Sequence, residues 1–282
     1  MTKLSRFDRL QLSLLSSATS LVMAAPTARE EVDQFLMTVT SIRQVAPKVR
    51  RITFHANEFG HFVPTGPDEY FGLLMPQAGQ QGVLLPAERM NVRAAIRRMP
   101  ATARPELRWY TIRELRAADG EIDVDFVLHA DAGPGSAWAA AAKPGYVVGF
   151  RTGGSCYQPP ADARNQLLAA DDTALPALAA ILSTVDDDAV AGLRVLVEVP
   201  GAEYRVPLDE RVEVTWLTRD GEPGAELVRT LRACDLPELD YAWVCGESGL
   251  ATGVRRHLVK ERGLDRRRVL FSGYWKVGAA RT

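Results

Sequence analysis

The sequence predicts a two-domain protein of mixed class, an antiparallel β-barrel followed by an α/β domain built on a parallel sheet. Three observations carry this. The 282 residues exceed one ordinary domain and suit two packed units of about 100–150 residues each. The first half strings together short β-prone runs broken by prolines, as a barrel of closely spaced strands requires. After about residue 150 the pattern alternates between apolar strand candidates and helical segments, as in a doubly wound parallel sheet. The expected boundaries are an N-terminal extension over 1–34, a barrel over 35–152 and an α/β domain over 153–282.

Taken in order, the first 30 residues place Lys3, Arg6 and Arg9 before Leu10-Gln11-Leu12-Ser13-Leu14-Leu15. The run is interrupted by Ser16, Ser17, Thr19 and Ser20, and Asp8 sits among the basic residues. It therefore reads as an amphipathic or frayed extension rather than a signal peptide. No stretch approaches the ~20 apolar residues of a membrane span. Leu36–Ile42 and Val49–Phe54 are strand candidates separated by Ala46-Pro47, followed by Tyr70–Met75, Leu107–Ile112 and Ile122–Leu128. Pro64, Pro67, Pro76, Pro86 and Pro105 punctuate them, at positions where a proline ends pairing. In the second half, Gln166–Ala170, Arg194–Val199, Val212–Leu217, Tyr241–Cys245 and Val269–Ser272 are buried-strand candidates, with helices expected at Ala177–Leu182 and near 225–233 and 248–262.

The formal net charge of -1 gives no mandate for nucleic acid or an anionic membrane. Three cysteines, Cys156, Cys234 and Cys245, form no Cys-x-x-Cys pair and are too few for an all-cysteine iron–sulfur cluster or a disulfide framework. His55, His61, His129 and His257 lack helical metal-ligand spacing, so no protein-bound metal is expected.

Several segments have chemistry-bearing composition, and each has an ordinary structural reading beside it. In Arg108-Trp109-Tyr110-Thr111-Ile112-Arg113, alternation sends Arg108, Tyr110 and Ile112 to one face and Trp109, Thr111 and Arg113 to the other. The arginines either cover neighbouring rings or meet an anionic ligand. His129 to Trp138 turns a strand into an Ala-rich helix, whose first amides suit phosphate; the plain alternative is a loop capped by Ser136. Gly153-Gly154 serves as a hinge or as a second such turn. Thr173 opens a helix just beyond a strand, where an α/β sheet binds nucleotide phosphates, and no Gly-x-Gly-x-x-Gly accompanies it. Asp171 and Asp172 favour that helix's dipole. Thr218-Arg219 either holds a 2′-phosphate or forms a solvent-facing turn. The basic residues between Arg255 and Arg268 read as a solvated face.

The order and spacing of these segments resemble the siderophore-interacting protein family. The resemblance runs from Thr38 to Gly278 through Gly66-Pro67-Asp68, Arg108-x-Tyr110-Thr111-x-Arg113, Asp125–His129, Gly135-Ser136-x-Trp138-Ala139 and Lys143-Pro144-Gly145. It continues through Asp171–Ala177, Val212-x-Val214-Thr215-Trp216-Leu217, Trp243-Val244-x-Gly246-Glu247, Arg255–Leu258 and Ser272-Gly273-Tyr274-Trp275. It implies a ferredoxin-reductase-like fold, an FAD-binding barrel with a nicotinamide-binding domain, and a cytoplasmic enzyme of iron acquisition that passes electrons from NADH or NADPH through FAD to a ferric siderophore. A nicotinamide delivers a hydride whereas ferric iron accepts one electron, and a flavin converts between them. By this resemblance Tyr110 lies along the flavin ring, Thr111 near its reactive edge, and Arg108 or Arg113 at the pyrophosphate. His129, Gly135, Ser136, Ala137 and Trp138 form the surrounding wall and helix terminus. Asp172, Thr173, Thr218, Arg219, Gly246, Glu247 and Trp275 belong to the nicotinamide side, and Lys276 is the substrate candidate near the expected cleft. Other acceptors, such as a quinone, free flavin or a protein, and a non-redox siderophore-binding module are the alternatives.

Overall fold

The computed structural model describes residues 2–3, 23–29, 31–80, 82–89, 91–129 and 133–278. The expected N-terminal extension therefore falls mostly outside the described residues, as does Ala130-Asp131-Ala132 of the loop before the Ala-rich helix. The chain divides into two compact units, one running from Thr27 to Ser155 and the other from Cys156 onward, with residues 23–26 belonging to the second.

The first unit is antiparallel. Its strands are β1 (Thr2–Lys3), β2 (Thr27–Ala28), β3 (Glu31–Val32), β4 (Gln34–Ala46), β5 (Val49–His55), β6 (Tyr70–Met75), β7 (Glu106–Thr111), β8 (Glu114–Arg116), β9 (Glu121–Val127) and β10 (Val147–Ser155). The main sheet follows the order β7-β6-β10-β4-β5-β9-β8, with β2 also on β10, and β1 pairs with β3. Pro47 and Lys48 make the tight turn between β4 and β5, where proline supplies the fixed φ a turn needs. All seven strands of the path send side chains into one core, as a sheet curled into a barrel requires. Its centre is Phe150, stacked between Phe35 at 4.7 Å and Phe71 at 4.8 Å, with Phe59 edge-on at 5.2 Å. Two short helices, α1 (Val92–Arg97) and α2 (Pro134–Ala141), complete the unit.

β10 corrects the hinge reading of Gly153-Gly154. These glycines lie inside a strand paired with β2, β4 and β6. A Cβ at Gly153 would overlap the Tyr70 carbonyl, and one at Gly154 the Thr27 carbonyl, so their role is close backbone approach.

The second unit is a parallel sheet of β11 (Gln166–Asp171), β12 (Leu193–Val199), β13 (Val214–Thr218), β14 (Tyr241–Glu247) and β15 (Val269–Trp275), in the order β13-β12-β11-β14-β15. Helices α3 (Leu175–Leu182), α4 (Asp187–Val190), α5 (Ala225–Ala233) and α6 (Ser248–Arg256) connect the strands, α6 running on into a π-helical turn at His257–Glu261. Leu227 and Leu231 of α5 and Leu250 and Val254 of α6 pack on Leu167, Leu196 and Val244. The strand order reverses between β11 and β14, which opens a crevice at the carboxyl ends of those strands. Asp171 ends one and Gly246-Glu247 the other.

Candidate functional site

In the first unit the candidate site is built by β7 and the start of α2. Alternation along β7 turns Tyr110 into the core, with its ring 4.4 Å from that of Phe126, and turns Trp109 the other way onto Tyr70. Tyr110 and Arg108 both border Gly135: a Cβ there would overlap the Tyr110 hydroxyl and lie 3.4 Å from Arg108 Cγ. Glycine is therefore the residue that lets the helix terminus approach β7. Burial pushes the Tyr110 hydroxyl well above the ordinary tyrosine range, Arg108 opposing it. Thr111, the last residue of β7, is buried opposite Tyr70.

The N-terminus of α2 has Gly133 as its cap residue and Pro134 as its first helical residue, with no side chain capping it. Ser136 is thus not the cap the loop reading assigned to it. It sits inside the first turn, where its Oγ accepts from the His129 amide at 3.3 Å. With no acidic residue in that turn, its first amides and the positive end of the helix dipole have no counter-charge among the described residues. One residue away from Gly135 on the other side of Ser136, Ala137 is exposed. Trp138 stacks on Phe54 at 6.1 Å and 14°, and its indole Nε1 is buried without a partner among the described residues. Such a donor is costly unless something accepts from it.

The two arginines of the motif differ. Arg108 gives Nη1 to its neighbour's carbonyl, Leu107 O, at 2.7 Å and lies 3.6 Å from Glu106. Arg113 is half-buried, and among the described residues its guanidinium makes no hydrogen bond or ion pair. Burial and then the neighbouring Arg51 lower its pKa. The nearby carboxylates are already taken: Arg51 forms a two-pronged pair with Asp125 at 2.6 and 2.8 Å, and Arg116 holds Asp123 at 2.9 Å. Sequence reasoning missed this buried network, since its members lie 74 residues apart. The one available signal was a row of alternating acids, Glu121, Asp123 and Asp125, in a strand whose other residues are apolar.

In the second unit the crevice is organised by Asp171, which is fully buried. Its carboxylate accepts from the Thr173 amide at 2.8 Å, the Thr173 hydroxyl at 2.6 Å, the Glu247 amide at 2.7 Å and Trp275 Nε1 at 2.9 Å. Gly246 has φ +147 and a Cβ there would come within 2.6 Å of this carboxyl group. Glu247 in turn caps α6 through the Gly249 and Leu250 amides and receives the Val277 amide at 3.2 Å. Arg219, beyond the exposed Thr218, gives Nη2 to Asp172 at 2.8 Å and Nε to Glu198 at 3.2 Å. Asp220 and Gly221 of this turn are exposed, as the solvent-facing reading expects, whereas Arg219 turns inward to two fully buried acids. A cavity of about 660 Å³ lies beside these groups, lined among others by Pro223, Gly224, Glu247, Gly249 and the exposed Lys276.

A family model described as the siderophore-interacting FAD-binding domain matches residues 38–155, and a second, described as siderophore-interacting protein, matches residues 163–278. The chain belongs to the siderophore-interacting protein family. It is similar to the siderophore-interacting protein SipS from Aeromonas hydrophila, at 31% identity and TM-score 0.73 over 88% of this chain and 93% of that one. It is also similar to a siderophore utilization protein from T. fusca, at 31% identity and TM-score 0.76 over 89% and 95% of the two chains. The ferric vibriobactin reductase ViuB of Vibrio cholerae shares 29% identity over 62% of this chain and 66% of its own length. A ferredoxin reductase of carbazole 1,9a-dioxygenase, at 15% identity and TM-score 0.61, shares the fold. The first unit is therefore the FAD-binding domain of a siderophore-interacting protein.

The residues of that unit fit an anionic cofactor. Gly135 leaves no side chain over Tyr110, α2 begins uncapped, and Arg113 and Trp138 Nε1 have no internal partner among the described residues. The structure brings Arg108, Tyr110 and Gly135 together directly and joins His129 to Ser136. In the other unit it joins Asp172 to Arg219, and Thr173, Glu247 and Trp275 to one another through Asp171. Among the described residues no helix is long and apolar enough to cross a membrane.

Proposed function

We propose that this siderophore-interacting protein is a cytoplasmic NAD(P)H-dependent ferric-siderophore reductase. The observation that carries the reading is that, in a domain whose family binds FAD, α2 reaches Tyr110 through Gly135 with no capping side chain, and Arg113 and Trp138 Nε1 of the same unit have no partner among the described residues. FAD, when bound, converts the two electrons of a hydride into single electrons for iron. For each NAD(P)H oxidised, two ferric chelates become ferrous and one proton is released, and the softer ferrous ion leaves a hard-oxygen chelate more readily.

The chain's own residues position rather than transfer. Arg113, with no carboxylate to neutralise, serves the pyrophosphate better than Arg108, whose fork is partly occupied. The first-turn amides of α2 at Gly135 and Ser136 add donors, the Ala137 amide already closing the first helical bond to Gly133 O, and His129 holds Ser136 in place. Tyr110 supplies an aromatic wall whose hydroxyl stays protonated at any physiological pH, and Thr111 a hydroxyl at the end of the same strand. In the second unit Thr173, Gly246, Glu247 and Trp275 form the crevice for the nicotinamide, with Asp172, Thr218 and Arg219 toward the nucleotide end. Lys276, exposed on the cavity, offers an ammonium to an acidic chelate.

The test is ferrous-iron trapping with the FAD-loaded full chain, NADH or NADPH, and ferric chelates of the catecholate, hydroxamate and carboxylate classes. At least one class should yield trapped ferrous iron at two per nicotinamide. Nicotinamide oxidation that proceeds with a quinone but with none of the chelates contradicts the reading.

A further inference from the structure

We infer that the nucleotide end of the crevice selects NADH over NADPH, and that Asp172, Arg219 and Glu198 enforce the choice. This rests on the nicotinamide reading above and goes beyond it in naming the donor.

A 2′-phosphate is a dianion, and a site that takes it offers an arginine fork or several free donors. The turn after β13 carries one arginine, Arg219, and two of its three guanidinium nitrogens already hold acids. Arg219 Nη2 is bound to Asp172 and its Nε to Glu198, both fully buried. Glu198 further accepts from the Gly224 amide at 2.7 Å and the Leu227 amide at 3.1 Å, which ties the turn to the start of α5. Withdrawing Arg219 toward a phosphate would strand two buried carboxylates, a loss greater than one surface phosphate contact returns. The local charge points the same way. Three fully buried acids, Asp171, Asp172 and Glu198, lie here, and Arg219 pairs with two of them, Asp172 and Glu198. Burial and then the adjacent Asp171 hold the Asp172 carboxyl up to about 7, so the pocket already resists its own negative charge. A further dianion is opposed, whereas an uncharged ribose hydroxyl is not.

The other basic groups nearby do not reverse this. Arg229 pairs with Glu226 and Arg232 with Glu261 on the rim of the cavity, and Arg205 lies over the Trp216 ring at 5.4 Å. Tyr204, buried and under the field of Asp172 and Arg219, completes the neutral and acidic surroundings.

Calorimetric binding of NAD⁺, NADP⁺, 5′-ADP and 2′,5′-ADP to the FAD-loaded full chain tests this without relying on turnover. The 2′-phosphate should weaken binding by roughly tenfold or more in each pair. Equal or tighter binding of NADP⁺ and 2′,5′-ADP overturns the inference and leaves the nicotinamide reading standing. If none of the four binds and neither reduced dinucleotide bleaches the flavin, the reading itself falls and the inference with it. Asp172→Asn, which fixes the side chain uncharged and loosens its hold on Arg219 with little change of shape, should narrow the discrimination by about threefold or more by tightening the 2′-phosphate ligands when measured above pH 7, where Asp172 is ionised. Unchanged discrimination in that variant overturns the assignment to this network, and the wild-type comparison decides the selectivity even if the variant fails to fold.

Discussion

The two units of this chain treat their polar groups in opposite ways. In the first unit donors are left over: the uncapped terminus of α2, an arginine after β7 with no acid and an indole N–H with no acceptor among the described residues. At the crevice of the parallel sheet most of the polar groups engage one another, with four hydrogen bonds converging on Asp171 and Glu198 shared by Arg219 and two amides. A site with surplus donors is complete only with its anion and suits a cofactor that stays. A site that is complete by itself loses nothing when its ligand leaves, and suits a nucleotide that must come and go at every turnover.

Three substitutions sharpen or break this contrast. The largest effect is expected for Asp171→Ala. Removing the acceptor of four donors, in a fully buried position, should lower stability by about 3–5 kcal/mol in urea unfolding. A loss below ~1 kcal/mol would show that the crevice is not self-supporting. Arg113→Ala should do the reverse. Without FAD its stability should change by less than ~1 kcal/mol, because no ion pair is lost, while FAD affinity falls roughly 10- to 100-fold. A marked loss of apoprotein stability would make Arg113 structural. The third is the pH response of Asp172. Its folded pKa of about 7 exceeds the usual value of 3.8, so the folded state binds more protons than the unfolded state between those values. Its contribution therefore makes stability decline as pH rises from about 4 to about 7 and level off above. Asp172→Asn should lack this component of the slope, as seen in melting temperatures measured across that range.

What sequence reasoning could read and what it could not follows a physical line. Tyr70–Met75 and the helix at Ala225–Ala233 are legible because their apolar spacing alone sets their structure. β10 was not legible: Gly149, Gly153 and Gly154 look like a flexible link, yet a side chain at any of them would meet a neighbouring strand or Leu74 and Leu85. The same holds in the sites. The face carrying Arg108 and Tyr110 follows from strand alternation, and Thr173 at the end of β11 from the sheet's topology. Arg219, by contrast, is defined by acids 21 and 47 residues away, and Arg113 by acids that other arginines have already claimed. Pairing of this kind is three-dimensional and leaves no local pattern.

The measurement that tests the central claim most directly is an anaerobic visible spectrum of the purified full chain with FAD, taken before and after NADH or NADPH and again after a ferric siderophore. The account predicts a bound flavin that bleaches with the nicotinamide and is reoxidised by the chelate as ferrous iron accumulates. A protein that binds no flavin, or whose reduced flavin is left untouched by every ferric chelate, would contradict it.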